Sequence, residues 1–590
     1  MNYPHNFHIP VLGLGYTIDT PLKVARYGIS SVLSIVEDEL IEDMREYYCL
    51  QNDLEYTRIT EKDPDHREKR ITAYLDLLYD LVTDQFSKMK ASAFEEGSDI
   101  EKYFELLPEE SPTRKDYLAM KSMEEGSEKF ALQQQLRQSM VCGDIDVNVM
   151  AKLDNVTYTE SGERMPDEYC DAVAALRGFA KSKSPGSVVF SAGYNPRLYN
   201  FAEQHENFYP GANDHLTKKI IIKVSDYRSA LIQGKLLAKK GLWVSEFRIE
   251  SGLNCGGHAF PTEGILMGPI LEEFRMNRVA MKEELFQLCN EALAAKGKAK
   301  FSHIPVQRIT AQGGVGTARE HELLLNYFEL DSVGWGSPFL LVPEVTNVDE
   351  GMLQLLATAQ PGDYYLSNAS PLGVPFHNFR KTTSEVQRKE RIAKHKAGSP
   401  CYKKYLSSDT EFTEVPICTA SRQYQHLKEK QLSATLSGPE LDVQLQKLGE
   451  KECLCEGLTS SVRLKNDMKL THKLSAVTIC PGPNLKWFSG IFSLKEMVDH
   501  IYGKISLNNS LYRPHLFVNE LKLYVDYLKN QISETASALN EKQVKYFQKF
   551  RTNLLKGIEY YKSFFLSFSD AAKTLEELCS FEKELLAIKL

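Results

Sequence analysis

Two glycine-rich segments, separated by one helical stretch, constrain the fold of this chain more than any other feature. They are Ala311-Gln-Gly-Gly-Val-Gly-Thr317 and Asp331-Ser-Val-Gly-Trp-Gly-Ser-Pro-Phe-Leu340, and a short apolar strand is predicted to lead into each. Glycine has no Cβ, so backbone N–H groups in such a loop can closely approach an anion. In a (β/α)8 barrel, the loops after the seventh and eighth strands form a phosphate site together with a short helix N-terminus. The two segments therefore predict a barrel that holds a phosphate at Gly313, Gly314, Gly336 and Ser337.

Eight buried strands can be predicted along the chain, which is the number that such a barrel requires. Each candidate is short, apolar and followed by a loop, and helical segments such as Ser225 to Lys240 separate most of them. The predicted strands are 9–14, 31–36, 145–150, 187–192, 219–224, 242–249, 304–310 and 331–335. The predicted fold class is α/β, a (β/α)8 barrel formed by residues 1–36 and 144–344.

The chain has 590 residues, too many for one barrel, and additions to it are predicted. Residues 37–143 are charged and helical in pattern and too long for one crossover, so they are predicted to be a helical insertion after the second strand. Within it, Asp63-Pro-Asp65 predicts the start of a helix, and an apolar stripe follows it at three- and four-residue steps. Residues 345–510 are predicted to be a loop-rich region that contains cysteines, and residues 511–590 a helical C-terminal extension.

Composition excludes several classes of function. The 71 Lys and Arg residues against 79 Asp and Glu residues give a net charge of −8, whereas a dedicated nucleic-acid binder needs a basic face. No apolar run approaches the roughly 18 residues of a membrane span, and the N-terminus has no signal-peptide pattern. Most of the 11 cysteines are scattered singly, unlike a secreted disulfide framework. We therefore expect a cytoplasmic protein with a small-molecule or acyl substrate, and its oligomeric state stays open.

Four cysteines form a candidate metal site in the region after the barrel. Cys453 and Cys455 lie between Cys418 and Cys480, and four thiolates can bind zinc or an iron–sulfur cluster. A Cys-x-Cys pair is less usual in such sites than Cys-x2-Cys, and the outer gaps are long, so unrelated thiols are an equal alternative. The last of the four begins Cys480-Pro-Gly-Pro-Asn, which predicts a turn with an exposed thiol.

The sixth predicted strand leads into a loop that presents a histidine. The sequence there is Glu250-Ser-Gly-Leu-Asn-Cys-Gly-Gly-His-Ala-Phe260. A histidine just beyond a Gly-Gly pair at the carboxyl end of a barrel strand is a candidate acid–base group, because its ordinary pKa suits proton transfer near neutral pH. His258 is therefore the candidate catalytic residue. A loop histidine with a purely structural role is the alternative.

These motifs together resemble the FMN-dependent (β/α)8 enzymes of the nitronate monooxygenase (2-nitropropane dioxygenase) and flavin-dependent enoyl-ACP reductase group. The resemblance covers residues 9–36 and 144–344. It is carried by Gly13-Leu-Gly-Tyr16, Val147-Asn-Val-Met150, Asn254-Cys-Gly-Gly-His258, Gln312-Gly-Gly-Val315 and Trp335-Gly-Ser-Pro-Phe339.

The resemblance implies a bound FMN and a role for each matched residue. Gly15 and Asn148 would lie against the flavin, His258 would be the catalytic histidine, and the two glycine-rich segments would hold the FMN phosphate. Lys223, at the end of the fifth predicted strand, would compensate negative charge on the flavin ring, or it is a solvated surface lysine. Tyr16, Pro338 and Cys255 depart from the family pattern, and these departures bear on the substrate rather than on the barrel.

The sequence thus predicts an FMN-dependent oxidoreductase similar to nitronate monooxygenase or enoyl reductase. One alternative is a barrel without catalysis that serves as a binding or assembly scaffold. Another is a glutamate-synthase-like enzyme in which an iron–sulfur cluster exchanges electrons with FMN.

Overall fold

A closed barrel of eight parallel strands forms the centre of the molecule. The computed structural model describes residues 3–150, 154–159, 161–191, 193–470, 475–535, 540–568 and 571–589. The strands pair in chain order, and the last pairs with the first to close the barrel. They are β1 Phe7–Ile9, β2 Ser30–Ser34, β3 Ile145–Val149, β4 Gly186–Phe190, β5 Lys218–Val224, β6 Val244–Glu250, β7 Arg308–Gln312 and β8 Ser332–Gly334. The predicted (β/α)8 fold is therefore confirmed.

The observed strand bounds differ from the predicted ones, and the two largest differences lie at prolines. The first strand ends at Ile9 instead of continuing to residue 14, because Pro10 has no N–H to donate to the strand pairing. The seventh begins at Arg308 and not at residue 304, since Pro305 interrupts the apolar run. The fourth ends at Phe190, and the last residue of its predicted range, Ala192, lies outside the described residues.

Helices surround the barrel and link its strands. They are α1 Thr20–Val24, α7 Asp171–Lys181, α8 Pro196–Ala202, α9 Tyr227–Ala238, α10 Met267–Ala295 and α11 Ala318–Asn326. Helix α9 begins where the side chain of Asp226 accepts a hydrogen bond from the N–H of Ser229 at 2.7 Å, which caps the helix. Its buried residues, Ala230, Gln233, Gly234, Leu237 and Ala238, face the core.

The insertion after β2 consists of five helices packed on one side of the barrel. They are α2 Asp38–Gln51, α3 His66–Ala91, α4 Asp99–Glu105, α5 Pro112–Ser122 and α6 Ser127–Ser139. The predicted apolar stripe lies on α3, where Ile71, Leu75, Leu78 and Val82 are buried and Phe86 is partly buried. A Cβ at Gly178 of α7 would lie 2.8 Å from Ile71, so the two helices are in close contact there. The stripe is a packing surface.

The region after the barrel contains a β-hairpin and further helices. The antiparallel hairpin is β9 Tyr364–Ser367 with β10 Phe376–Phe379. The helices are α12 Glu350–Ala357, α13 Thr383–Ala393, α14 Arg422–Thr435, α15 Gly438–Gly449, α16 Leu454–Lys465, α17 Leu494–Ile501, α18 Leu516–Thr535, α19 Glu541–Phe565 and α20 Ala572–Leu586. Residues 345–510 thus hold helices α12–α17 as well as loops, and the extension from 511 is helical as predicted. Among the described residues, no helix has the length and apolar character that crossing a membrane requires.

The C-terminal helices pack against the barrel through buried aromatic side chains. Tyr561 of α19 accepts a hydrogen bond from the N–H of Gly268 at 3.0 Å, at the start of α10. Phe517 stacks on Tyr561 with ring centroids 4.9 Å apart. These aromatic residues fill a helical core.

Candidate functional site

A cavity opens at the carboxyl ends of the barrel strands, and we call it the main cavity. Its empty volume, including the open mouth, is about 1230 Å³. Small-molecule sites in proteins typically measure about 300–1,000 Å³, so a cofactor-sized ligand fits. The wall includes residues after β1, β6, β7 and β8 and the ends of the strands between them. This is the position at which barrel enzymes carry their active sites.

The four residues predicted to hold a phosphate all line the main cavity. Gly313 and Gly314 follow β7, and Gly336 and Ser337 follow β8, so the parallel strand ends bring the two segments to one rim. Gly313 and Gly314 have φ angles of +110° and +82°, a region that side chains rarely adopt. In addition, a Cβ on Gly314 would collide with the side-chain amide of Asn254. Glycine is therefore required here by backbone conformation and by packing against the loop after β6.

Two side chains from the region after the barrel, residues 345–590, hold this glycine loop in place from outside. We call residues 345–590 the C-terminal region. Arg513 donates to the carbonyl of Gly314 at 2.7 Å and forms an ion pair with Glu320 of α11 at 2.5 Å. Asn484 donates its side-chain amide to the carbonyl of Val315 and accepts from Arg513 at 3.3 Å. Because the loop carbonyls are bound from this side, the arrangement fixes the loop in one conformation.

Three polar side chains at neighbouring strand ends form the floor of the main cavity. Lys223 of β5 lies with its Nζ 3.1 Å from a carboxylate oxygen of Glu250 at the end of β6. Gln312 at the end of β7 donates to the other carboxylate oxygen at 2.7 Å. Lys223 therefore faces the barrel interior and not solvent. The sequence analysis assigned no role to Glu250 or Gln312. They are the last residues of β6 and β7.

Two buried side-chain amide oxygens at this cavity lack a hydrogen-bond partner within the described part of the chain. They are Oδ1 of Asn148 and Oδ1 of Asn254, and both residues line the main cavity. A buried polar atom without a partner costs free energy, on the order of 1–3 kcal/mol. Such atoms at a cavity wall are suited to a ligand that donates hydrogen bonds.

His258 lines the same cavity and is half-buried. Its ring lies edge-on to that of Phe376 of β10, with centroids 5.4 Å apart. The backbone of its loop is joined to the hairpin by hydrogen bonds on either side, from the N–H of Ala259 to the carbonyl of Pro375 at 2.8 Å and from the N–H of His377 to the carbonyl of Gly257 at 3.3 Å. The C-terminal region thus holds the candidate catalytic loop in place.

Gly15 has a different position from the one that the resemblance implies. Its N–H donates to the carbonyl of Leu458 at 3.0 Å, and a Cβ there would lie 3.0 Å from Val462 of α16. Gly13 and Leu14 are the residues of this loop that line the main cavity, and Gly15 is not among those residues. Gly15 therefore packs against the C-terminal region beside the cavity.

The C-terminal region supplies a large part of the cavity wall, which the sequence did not predict. The residues concerned are Phe376, Tyr405, Leu406, Leu454, Cys455, Leu458, Cys480, Pro483 and Asn484. They come from a hairpin, two loops and a helix that lie far apart in sequence. Tyr405 donates its hydroxyl to Asp38 of α2 at 3.0 Å, so the helical insertion also fixes this wall. Only the turn at 480–484 left a signal in the sequence, through its two prolines and glycine.

The four cysteines predicted to bind a metal do not form such a site. In the ranges that the structure describes, no group of three or more His, Cys, Asp or Glu side chains is arranged to hold a metal ion. The thiol of Cys418 shares a hydrogen bond with that of Cys401, which raises the pKa of Cys418 and lowers the pKa of Cys401 to about 7. Cys480 is buried and not exposed as predicted, and burial raises its pKa to about 11. It lies against Gly257 at the main cavity.

Comparisons with known proteins add little to this description. No family model matches the sequence, and no curated protein matches it either. One similar solved structure is the enoyl reductase domain of MlnA from the macrolactin biosynthesis cluster of Bacillus amyloliquefaciens. The two share 13% sequence identity and a TM-score of 0.32, over 72% of this chain and 89% of that one. A likeness this weak carries no argument about the reaction, and the barrel is established by the strand pairing of this chain.

Proposed function

We propose that this chain is an FMN-dependent oxidoreductase whose chemistry resembles that of nitronate monooxygenases or enoyl reductases. The observation that carries the proposal is the convergence of three features on one cavity. These are the two glycine-rich strand ends, the buried amide oxygens without partners, and a histidine on a braced loop. The sequence indicated the glycine-rich segments, Asn148 and His258 separately, and the barrel brings them to one rim.

The residues present fit FMN. Gly313, Gly314, Gly336 and Ser337 would hold the phosphate, mainly through backbone N–H groups. The side-chain oxygen of Asn148 would accept from a donor on the flavin ring, since it lacks a partner among the described residues. Lys223 would place positive charge near the ring, and its ion pair with Glu250 fixes its position. When bound, FMN supplies hydride transfer at its N5 atom.

The chain itself would position the substrate and move a proton. His258 would remove a proton next to an activating group, or donate one to a carbanion left by hydride addition. Its loop is held against β10, so the imidazole is positioned without using the substrate's binding energy. Leu406, Leu454 and Leu458 place an apolar surface over the same cavity and would exclude water from it.

The two alternative functions have less support. A glutamate-synthase-like enzyme needs an iron–sulfur cluster, and the described cysteines offer no three-thiol arrangement for one. A scaffold without catalysis has no need of buried amide oxygens without partners around a cavity, and no observed surface favours it.

The test is to identify the cofactor and then the reaction. The protein is expressed with riboflavin in the medium, denatured, and the released flavin is identified by mass spectrometry. We expect FMN, and FAD or no flavin would refute the proposal. The loaded protein is then assayed in air-saturated buffer with a neutral nitroalkane, which still carries the α-proton that His258 would remove and is oxidised by O2, and separately with an enoyl thioester plus reduced nicotinamide cofactor. Turnover of one of them separates the two reaction types, and colourless protein inactive on both would favour the scaffold.

A further inference from the structure

A second cavity adjoins the main cavity on the side of β4 to β6, and we call it the side cavity. Its empty volume, including the open side, is about 1120 Å³. The described residues that line it lie between 193 and 262, within the barrel. Lys223, Glu250 and Cys255 line both cavities. These three residues therefore lie at the boundary between the two cavities, next to the candidate catalytic loop.

The wall of the side cavity is mainly apolar. Val224 is the last residue of β5, and Phe260 lies in the loop after β6. Ile232 and Leu236 lie one turn apart on α9. The side chain of Ile232 is 49% exposed, although leucine and isoleucine are usually buried. Tyr194, also in the wall, is 54% exposed. The side cavity thus has an apolar wall with two exposed hydrophobic residues and a charged inner end.

Most of the polar side chains along this wall are already paired within the protein. Gln233 accepts from the hydroxyl of Tyr199 at 2.8 Å, and the hydroxyl of Ser229 donates to Asp226 at 2.7 Å. A ligand rich in hydrogen-bonding groups would have to compete with these bonds. A hydrocarbon chain would not, and it would cover the exposed apolar surface.

We propose that the side cavity binds an unbranched alkyl tail of the substrate, while the reacting end of the substrate lies in the main cavity. The junction at Lys223, Glu250 and Cys255 is where the polar end of such a molecule would meet charged groups, and the tail would lie along Ile232 and Leu236. The site for the reacting end rests on the proposed function. The apolar wall for the tail does not.

The test measures how affinity depends on chain length. Isothermal titration calorimetry of the purified wild-type chain, with the flavin content recorded, uses a series of unbranched alkyl carboxylates from butanoate to dodecanoate. Burying one methylene group increases affinity by about fourfold at most, so we expect a rise of about two- to fourfold per methylene over part of the series. Affinity that does not change with chain length would overturn the inference.

A matched pair of variants locates the tail. Ile232→Glu places a carboxylate in the side cavity, whereas Val279→Glu makes the same type of change at a 67% exposed position on α10 that lines neither cavity. Because both positions are exposed, both variants should fold. We expect Ile232→Glu to lower dodecanoate affinity at least about tenfold and leave butanoate affinity unchanged, and Val279→Glu to change neither. Equal effects of the two variants would overturn the inference.

Failure of the proposed function gives a different result. If the chain binds no FMN but the chain-length series still rises and Ile232→Glu still abolishes the rise, the tail site stands and the cofactor assignment fails. If FMN is bound and the series is flat, the cofactor assignment stands and the tail site fails.

Discussion

The barrel and the C-terminal region contribute to one cavity in different ways. The barrel supplies strand-end groups that face a ligand, namely the glycine loops, the amide of Asn148 and the imidazole of His258. The C-terminal region supplies an apolar wall and braces, including Arg513 and Phe376. Under the proposed function, the barrel would carry the chemistry, whereas the barrel and the C-terminal region would share the positioning of these groups and the exclusion of water. The predictions below test that division, beginning with the largest expected effect.

Replacing His258 by Gln should lower turnover by about 100- to 10,000-fold while FMN stays bound, because the imidazole would move a proton and does not hold the cofactor. The measurements are steady-state rate and flavin content per chain. Phe376→Leu is the matched change on the C-terminal side of the same contact, and it should lower the rate by about tenfold or less. A larger loss in Phe376→Leu than in His258→Gln would reverse the proposed division.

Gly314→Ala should weaken FMN binding by about 100-fold. The new Cβ would collide with Asn254, and alanine is strained at a φ of +82°. Together these effects cost about 2–4 kcal/mol in the loop. Gly297→Ala is the control, since it has a φ of +65° with no atom within 4 Å of the new Cβ. Fluorescence titration with FMN measures both, and equal affinities would show that the loop does not hold the phosphate.

Glu520 of α18 should make stability fall as the pH rises. Its carboxylate accepts from the hydroxyl of Ser251, from the N–H of Met267 at 2.9 Å and from the hydroxyl of Tyr561 at 3.3 Å. Burial raises its pKa to about 7, above the ordinary value of about 4.3. Since the folded pKa is raised, this group's contribution to stability is complete below about pH 4 and is lost as the pH rises through 7.

Glu520→Gln keeps an acceptor at this position and removes the titration. We expect the free energy of unfolding of the wild type, relative to that of the variant, to fall by about 3 kcal/mol between pH 5 and pH 8. Urea unfolding at the two pH values measures this difference. Parallel pH profiles would mean that the carboxyl group does not titrate at this contact between the barrel and α18.

Arg513→Met should have the smallest of these effects, about a tenfold loss of FMN affinity. Arg513 binds the carbonyl of Gly314 and lies against Gly316, so removing it loosens the loop and leaves the N–H groups of the loop in place. Arg513→Lys should recover part of the affinity, since the charge near Glu320 is kept. FMN affinity is measured rather than rate, because Arg513 supports the loop that would hold the FMN phosphate. Unchanged FMN affinity in Arg513→Met would show that the C-terminal region does not support the cofactor site through this contact.

The barrel was predictable because its signals are local. Short apolar runs that end in glycine mark parallel strand ends, and closure brings Gly313 and Gly336 to one rim without any further information. The largest errors in the predicted strand bounds were at the end of β1 and at the start of β7. Pro10 and Pro305 lie at these positions, and their missing N–H groups end or delay strand pairing.

The other half of the cavity was not predictable, since it depends on contacts between distant parts of the chain. Leu458 and Leu406 look like ordinary core residues in sequence, and nothing local shows that they lie beside a catalytic loop more than 140 residues earlier. The cysteine prediction rested on spacing, which does not show which thiols meet in the fold. The structure brings Cys401, which was outside the predicted set, next to Cys418 and near Cys453 and Cys455, and it places Cys480 against Gly257.

The central claim is that the two glycine-rich strand ends form the phosphate site of a flavin. The most direct test is a fluorescence titration of flavin-free protein with FMN and with riboflavin, which lacks the phosphate. The account predicts that FMN binds with one molecule per chain and that riboflavin binds at least about 100-fold more weakly, because the charge-assisted hydrogen bonds of the phosphate are lost. Equal affinity for the two flavins, or no binding of either, would contradict it.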